Sequence, residues 1–159
     1  MRYARGVFSA ADVHTFASSL PGVTVGSKWN RRTWLVGDKG FVWDRPLTKA
    51  DIKRYGDNPL PQGDLLGVKV EDLDAKDALL AIAPAGFFTI EHFNGYPAVL
   101  VELRLARPAE VRRAIVDAWR TVASPALQAR LDAKPTRPAK AKPPPPKART
   151  KKPTAKKRA

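Results

Sequence analysis

Apolar residues recur at helical spacing in several stretches of the chain and alternate with polar residues in others. Val13, Phe16, Ala17 and Leu20 share one face of a predicted helix running from about Ser9 to Leu20. Ser9 is its expected N-cap, with Asp12 completing a capping box, and Pro21-Gly22 stops it. Two β-rich runs follow, Thr33–Val36 and Gly40–Trp43, joined by the turn residues Gly37-Asp38-Lys39-Gly40, and together they predict a hairpin. Thr48 opens a short helix with Asp51 at its third position, Ile52 and Tyr55 as its apolar residues and Gly56 as its stop. Leu66, Val68 and Val70 alternate with Gly67, Lys69 and Glu71, the pattern of a half-buried strand over 65–71.

Asp74 is expected to cap the next helix, running to about Ala83, with Ala75, Ala78, Leu79 and Ile82 turned inward. Phe87–Ile90 and Pro97–Leu105 are strand candidates flanking the turn Phe93-Asn94-Gly95-Tyr96, and the second places Val99, Val101, Leu103 and Leu105 on one face. The last long helix starts at Pro108, where a missing N–H costs nothing. Val111, Ala114, Ile115, Ala118, Trp119 and Val122 form its apolar stripe, and a short helix over 125–132 follows. Short connections favour antiparallel pairing. The fold class is therefore α+β, a two-layer arrangement with helices packed on an antiparallel sheet.

Charge divides the chain. Of 29 Lys and Arg against 15 Asp and Glu, a net of +14, residues 134–159 hold 11 basic residues and no acid, so residues 1–133 are left with a net of only +3. Two parts are expected: a folded domain over 1–133 and a basic tail over 134–159. The tail contains 7 prolines, no aromatic residue and no aliphatic residue larger than Ala. Such a composition cannot build a core, favours extended polyproline conformations and predicts a disordered polycation. Its blend of Lys, Ala and Pro resembles the C-terminal tails of linker histones and of basic bacterial nucleoid proteins. A polycation of this kind binds nucleic acid, with DNA the expected partner and RNA the alternative, by counterion release and without reading sequence. Lys140, Lys142, Lys147, Arg149, Lys151, Lys152, Lys156, Lys157 and Arg158 are its candidate contacts. A solubility tail is the plain alternative, and an anionic lipid surface lacks the apolar or lipidated anchor that would accompany it.

Within the domain, Lys28-Trp29-Asn30-Arg31-Arg32-Thr33-Trp34 interleaves basic residues with indoles, a combination that holds nucleic acid by phosphate contacts and stacking. Lys28, Arg31 and Arg32 are the candidates there, weighed against a solvated strand entry with Trp34 in the core. No phosphate-cradling glycine motif occurs. The absence of cysteine excludes disulfides and thiolate metal sites. The acidic run Glu71–Asp77 lacks calcium-loop spacing and reads as a helix start, so neither a metal nor a cofactor is expected. His14 lies off its helix's apolar stripe and is expected at the surface. His92 precedes the aromatic turn and is expected to be a partly buried histidine bonding a backbone carbonyl, with Glu91 pointing the other way along a strand. Without a nucleophile marked beside it, no catalytic role is assigned. A pocket built from His92, Asn94 and Tyr96 would instead suit a small-ligand binder or an enzyme. A third option is a protein-interaction adaptor with the tail as a tether. No apolar run reaches the length of a spanning helix and the N-terminus has no signal-peptide pattern. A cytoplasmic protein is expected, associated with the nucleoid if it binds DNA.

Leu20-Pro21-Gly22-Val23-Thr24, Lys39-Gly40-Phe41-Val42-Trp43, Arg45-Pro46-Leu47 leading into Lys49-Ala50-Asp51, Phe87-Phe88-Thr89 and the string His92-Phe93-Asn94-Gly95-Tyr96-Pro97-Ala98-Val99-Leu100-Val101 together resemble the MmcQ/YjbR-like family. Asp117-Ala118-Trp119 matches its final helix, and the resemblance covers about residues 9–131. It implies a compact α+β fold of double-wing type and a DNA-binding role, and it brings no catalytic residues. The family's usual Glu-Gly-Thr/Ser after the first helix stands here as Val25-Gly26-Ser27, which removes an acid from that corner.

Overall fold

The computed structural model describes residues 6–133. The basic segment 134–159, with Lys140, Lys142, Lys147, Arg149, Lys151, Lys152, Lys156, Lys157 and Arg158, lies outside the described residues, as do residues 1–5. The elements in chain order are α1 (Ala10–Ser18), β1 (Val23–Lys28), β2 (Arg31–Val36), β3 (Lys39–Asp44), α2 (Lys49–Tyr55), β4 (Leu65–Lys69), α3 (Leu73–Ile82), β5 (Phe87–Phe88), a 3-10 turn (Glu91–Phe93), β6 (Ala98–Glu102), α4 (Pro108–Val122) and α5 (Pro125–Ala133). The strands form one antiparallel sheet in the order β1-β2-β3-β4-β6-β5. The fold is α+β.

The expected capping boxes are present. Ser9 Oγ accepts from the Asp12 N–H while the Asp12 carboxylate accepts from the Ser9 N–H, and Thr48 and Asp51 repeat the arrangement at α2. Each box satisfies backbone donors that the first helical turn leaves free. The α4 stripe is as expected: Val111, Ile115, Ala118 and Trp119 are fully buried. They join Val13, Ala17, Trp34, Val42, Leu66, Val68, Val99 and Val101 in the main core, between α1, α4 and one face of the sheet. The Trp119 Nε1–H donates to the Pro21 carbonyl at 2.9 Å, tying α4 to the turn after α1. Arg120 pairs with Asp132 at 2.9 Å and the Gln128 amide donates to the Ala123 carbonyl, which hold α5 against α4.

A smaller cluster of Trp43, Ile90, Phe93, Ala98 and Leu100 forms a second core. Strand register accounts for the division. Val42, Val68 and Val99 are paired neighbours in the main core, whereas the adjacent row, Trp43, Gly67 and Leu100, presents the opposite face. Residue 67 must be glycine here, because a Cβ would collide with the Trp43 indole.

Several expectations are corrected. β1 was not foreseen as a strand. The 65–71 strand is a central one, buried on both faces over Leu65–Val68 rather than half-buried. The Asp72 carboxylate, not Asp74, caps α3, accepting from the Ala75 N–H. That helix keeps Ala75 and Leu79 half-buried as expected, with Leu79 packed on the main core, but it exposes Ala78 and Ile82 and buries Lys76, whose ammonium finds two carbonyl partners beneath it. In α2, Ile52 is exposed and Asp51 is buried against Arg45. The strand predicted over Phe87–Ile90 stops at Phe88, and that predicted over Pro97–Leu105 stops at Glu102, where a turn leaves Leu105 exposed.

Candidate nucleic-acid interface

β1 and β2 are joined by a two-residue loop, with Lys28 opposite Arg31 as the closing pair. Both loop residues are left-handed, Trp29 at φ 52° and Asn30 at φ 60°. The type I′ two-residue hairpin loop requires this conformation at both positions, and Asn adopts it readily. For a bulky indole it is an outlier. Trp29 stands at the hairpin tip with 75 % of its surface exposed, while Trp34, Trp43 and Trp119 are buried.

The second contributor is the turn after the 3-10 segment. Phe93 is buried, Gly95 takes φ 77°, and Tyr96 lies edge-on to Phe93 with ring centroids 5.7 Å apart. Lys76 fixes this turn from below. Its ammonium donates to the Phe93 carbonyl at 2.5 Å and the Tyr96 carbonyl at 2.8 Å. Burial pushes the lysine below its usual basicity, against a smaller upward pull from Asp77.

Arg45 lies between the two contributors. Its guanidinium sits 5.4 Å from the Phe93 ring centroid and donates to the Asp51 carboxylate at 3.0 Å. Burial pushes the Asp51 carboxyl up, but the Thr48 N–H, the Arg45 guanidinium and the Thr48 hydroxyl outweigh it and hold the acid below its ordinary value of 3.8.

These parts enclose a groove of about 570 Å³. Trp43 and Phe93 are its buried base, Arg45 and Thr48 border it, the hairpin supplies Trp29 and Arg31, and the turn supplies His92 and Tyr96. Among the described residues no carboxylate lines it. A larger concavity of about 710 Å³ between α3 and α4 mixes Glu71, Glu110 and Asp117 with Lys69, Arg113 and Arg120, and it has no net preference for either sign of charge.

The hairpin thus carries all three basic residues singled out within the domain, in different states. Lys28 donates to the Asp38 carbonyl at 2.7 Å. Arg32 pairs with Asp44 at 3.2 Å and lies 4.9 Å from the Trp34 ring centroid. Arg31 faces the groove and, among the described residues, has no carboxylate partner. His92 and Tyr96 line the groove, but Asn94 does not. His92 is exposed on the 3-10 turn rather than partly buried, and Glu91, expected on a strand, sits on the same turn and pairs with Arg54 at 3.0 Å. His14 is exposed, as expected. Among the described residues no three His, Asp or Glu side chains converge as metal ligands, and no helix is long and apolar enough to cross a membrane.

Sequence reasoning missed Lys76, Trp43 and Arg45 as parts of this site. Arg31, His92 and Tyr96 were singled out in the sequence, and Trp29 carried a readable signal too, an indole beside Asn between two basic residues.

Comparison with known proteins agrees with the resemblance noted in the sequence. The chain is 45% identical over 106 residues to uncharacterized proteins of Mycobacterium bovis and Mycobacterium tuberculosis, a match covering 65% of this chain and 81% of those proteins. No solved structure matches the chain. The model of the YjbR family matches residues 18–121, from the end of α1 to the last turn of α4, and so includes the hairpin, the groove and the Lys76-anchored turn. The chain belongs to the YjbR family.

Proposed function

We propose that the protein binds DNA, largely without regard to sequence, with the basic segment 134–159 supplying most of the affinity and the hairpin of the folded domain adding contacts through Arg31, Lys28 and Arg32. The observation that carries this is the segregation of charge: 11 basic residues and no acid in the last 26 residues, beside a domain of net +3. Neutralising phosphates releases condensed counterions, so such a segment gains affinity from any DNA sequence. A groove with arginines and aromatic rings but no carboxylate gives the domain a compatible surface. No catalytic step belongs to this function.

A mobility-shift assay on a duplex, with the full chain beside a chain ending at Ala133, tests it. Loss of most of the affinity on truncation, equally for unrelated sequences, is the expected result. Undiminished binding by the shorter chain would move the site onto the domain, and no binding by the full chain would remove DNA as the partner.

One observation favours a second reading, a small-ligand-binding protein or an enzyme using the 92–96 turn: at about 570 Å³ the groove has the size of a small-molecule site, with an aromatic base and polar groups converging on it. That function requires saturable binding of a small planar ligand, unaffected by truncation at Ala133.

A further inference from the structure

We propose that the groove between the β1–β2 hairpin tip and the 93–96 turn is a stacking site for unpaired bases of single-stranded DNA, with Trp29 and Tyr96 as the exposed rings and Arg31 as the phosphate contact. The proposal rests on the DNA-binding function above and adds a distinction that the basic tail cannot make.

Trp29 is the first argument. A left-handed conformation costs a residue with a Cβ a steric penalty that its right-handed form does not carry. Glycine would remove that cost, and asparagine reduces it. The loop holds Asn at position 30 but an indole at position 29, where it contributes little to the core and is 75 % exposed. Backbone outliers of this kind concentrate at sites where the side chain has work to do.

Tyr96 is the second. It is 44 % exposed, yet its position is fixed. Its carbonyl is held by Lys76, its N–H donates to the Phe93 carbonyl at 2.9 Å, and its ring rests edge-on against buried Phe93. A ring immobilised in advance loses little entropy when a base stacks on it.

Charge is the third. Arg31 has no carboxylate partner among the described residues, Arg45 is neutralised from behind by Asp51, and no acid lines the groove. Exposed rings beside a free guanidinium match a nucleotide strand, which offers a flat base and a phosphate at each step. In a duplex the base faces are already stacked on their neighbours, so the same rings gain nothing from them. The tail's phosphate contacts are common to both forms of DNA.

The test uses the full chain and fluorescence anisotropy at one fixed salt concentration with three labelled probes. These are a thymine oligonucleotide, an abasic strand with the same number of phosphates, and a duplex. Trp29→Ala and Tyr96→Ala are each expected to weaken binding to the thymine strand about tenfold, the loss of roughly one stacked base, and to leave the abasic strand and the duplex unchanged. Trp29→Phe, which keeps a ring, is expected to retain most of the affinity. Trp29→Gly controls for folding, since it relaxes the turn and is expected to melt no lower than the parent protein while weakening thymine-strand binding as Trp29→Ala does. Parent-like binding of the thymine strand by both alanine variants would overturn the stacking site while leaving DNA binding intact. Equal parental affinity for the thymine and abasic strands would do the same. Failure of the parent protein to bind any of the three probes would overturn both the site and the DNA-binding function beneath it.

Discussion

Replacing Lys76 by methionine separates the two roles that a buried ammonium plays in this fold. The side chain is 5 % exposed and donates to two backbone carbonyls, and among the described residues it has no carboxylate partner. Methionine keeps the unbranched stem and deletes the charge. Each hydrogen bond from a charged donor contributes about 1.5–3 kcal/mol, so two of them amount to about 3–6 kcal/mol. Against this, an ammonium taken out of water costs several kcal/mol, which the variant recovers. The net expected loss is about 1–3 kcal/mol, read as a lower denaturation midpoint at unchanged m-value.

A pH series gives an independent check on Lys76. Burial lowers its folded pKa below the ordinary 10.5. Between the folded value and 10.5 the unfolded chain binds more protons than the native one, so this residue makes stability rise with pH across that window. Lys76→Met should lack that rise. Since the turn carries Tyr96, the variant should also weaken single-strand binding. A Lys76→Met protein at least as stable as its parent, with the same alkaline slope, would refute the anchoring role.

Trp119→Ala should cost about 3–5 kcal/mol in a denaturant titration, because it empties a fully buried indole site and leaves the Pro21 carbonyl without its donor; a loss below about 1 kcal/mol would mean that the α4 stripe is not the core anchor. Asp51→Asn should destabilise the protein at neutral pH. The folded carboxyl titrates below 3.8, so its contribution is fully present above that value and is lost as pH falls through the folded pKa, and the variant's acid limb should be correspondingly flatter. Identical acid limbs for the two proteins would contradict the Arg45–Asp51–Thr48 arrangement.

Local signals made much of the fold readable. Ser9 with Asp12 and Thr48 with Asp51 mark helix starts because few other arrangements satisfy the first-turn N–H groups. The α4 stripe is long enough for its period to be unmistakable, and Gly37 supplies the positive φ of the β2–β3 turn. β1 escaped because it is an edge strand of mostly exposed residues, Val23 to Lys28, without an inward alternation to betray it. Its loop, Trp29-Asn30, lacks the glycine that usually announces such a hairpin. The face of α3 was read correctly at Ala75 and Leu79 but not at Ala78 and Ile82, because periodicity assigns lysine to solvent, whereas here two carbonyls 17 and 20 residues downstream of Lys76 draw it inward. The groove was half legible: His92, Tyr96 and Arg31 stood out by residue type, but what gathers them is the pairing of β1 with β2 and the Lys76 anchor. Both are tertiary facts. Asn94 was included by proximity in sequence and faces elsewhere.

The most direct test of the central claim, that charge in residues 134–159 supplies the DNA affinity, is a salt titration of duplex binding by the full chain and by a chain ending at Ala133. One phosphate neutralised per basic residue would give a slope of log K against log salt near −0.9 × 11, or about −10. Not every charge engages a phosphate at once, and a slope of about −5 to −8 is expected. The shorter chain should show a much flatter line and weak binding to all sequences. Equal affinity and equal slope for the two chains would contradict the claim.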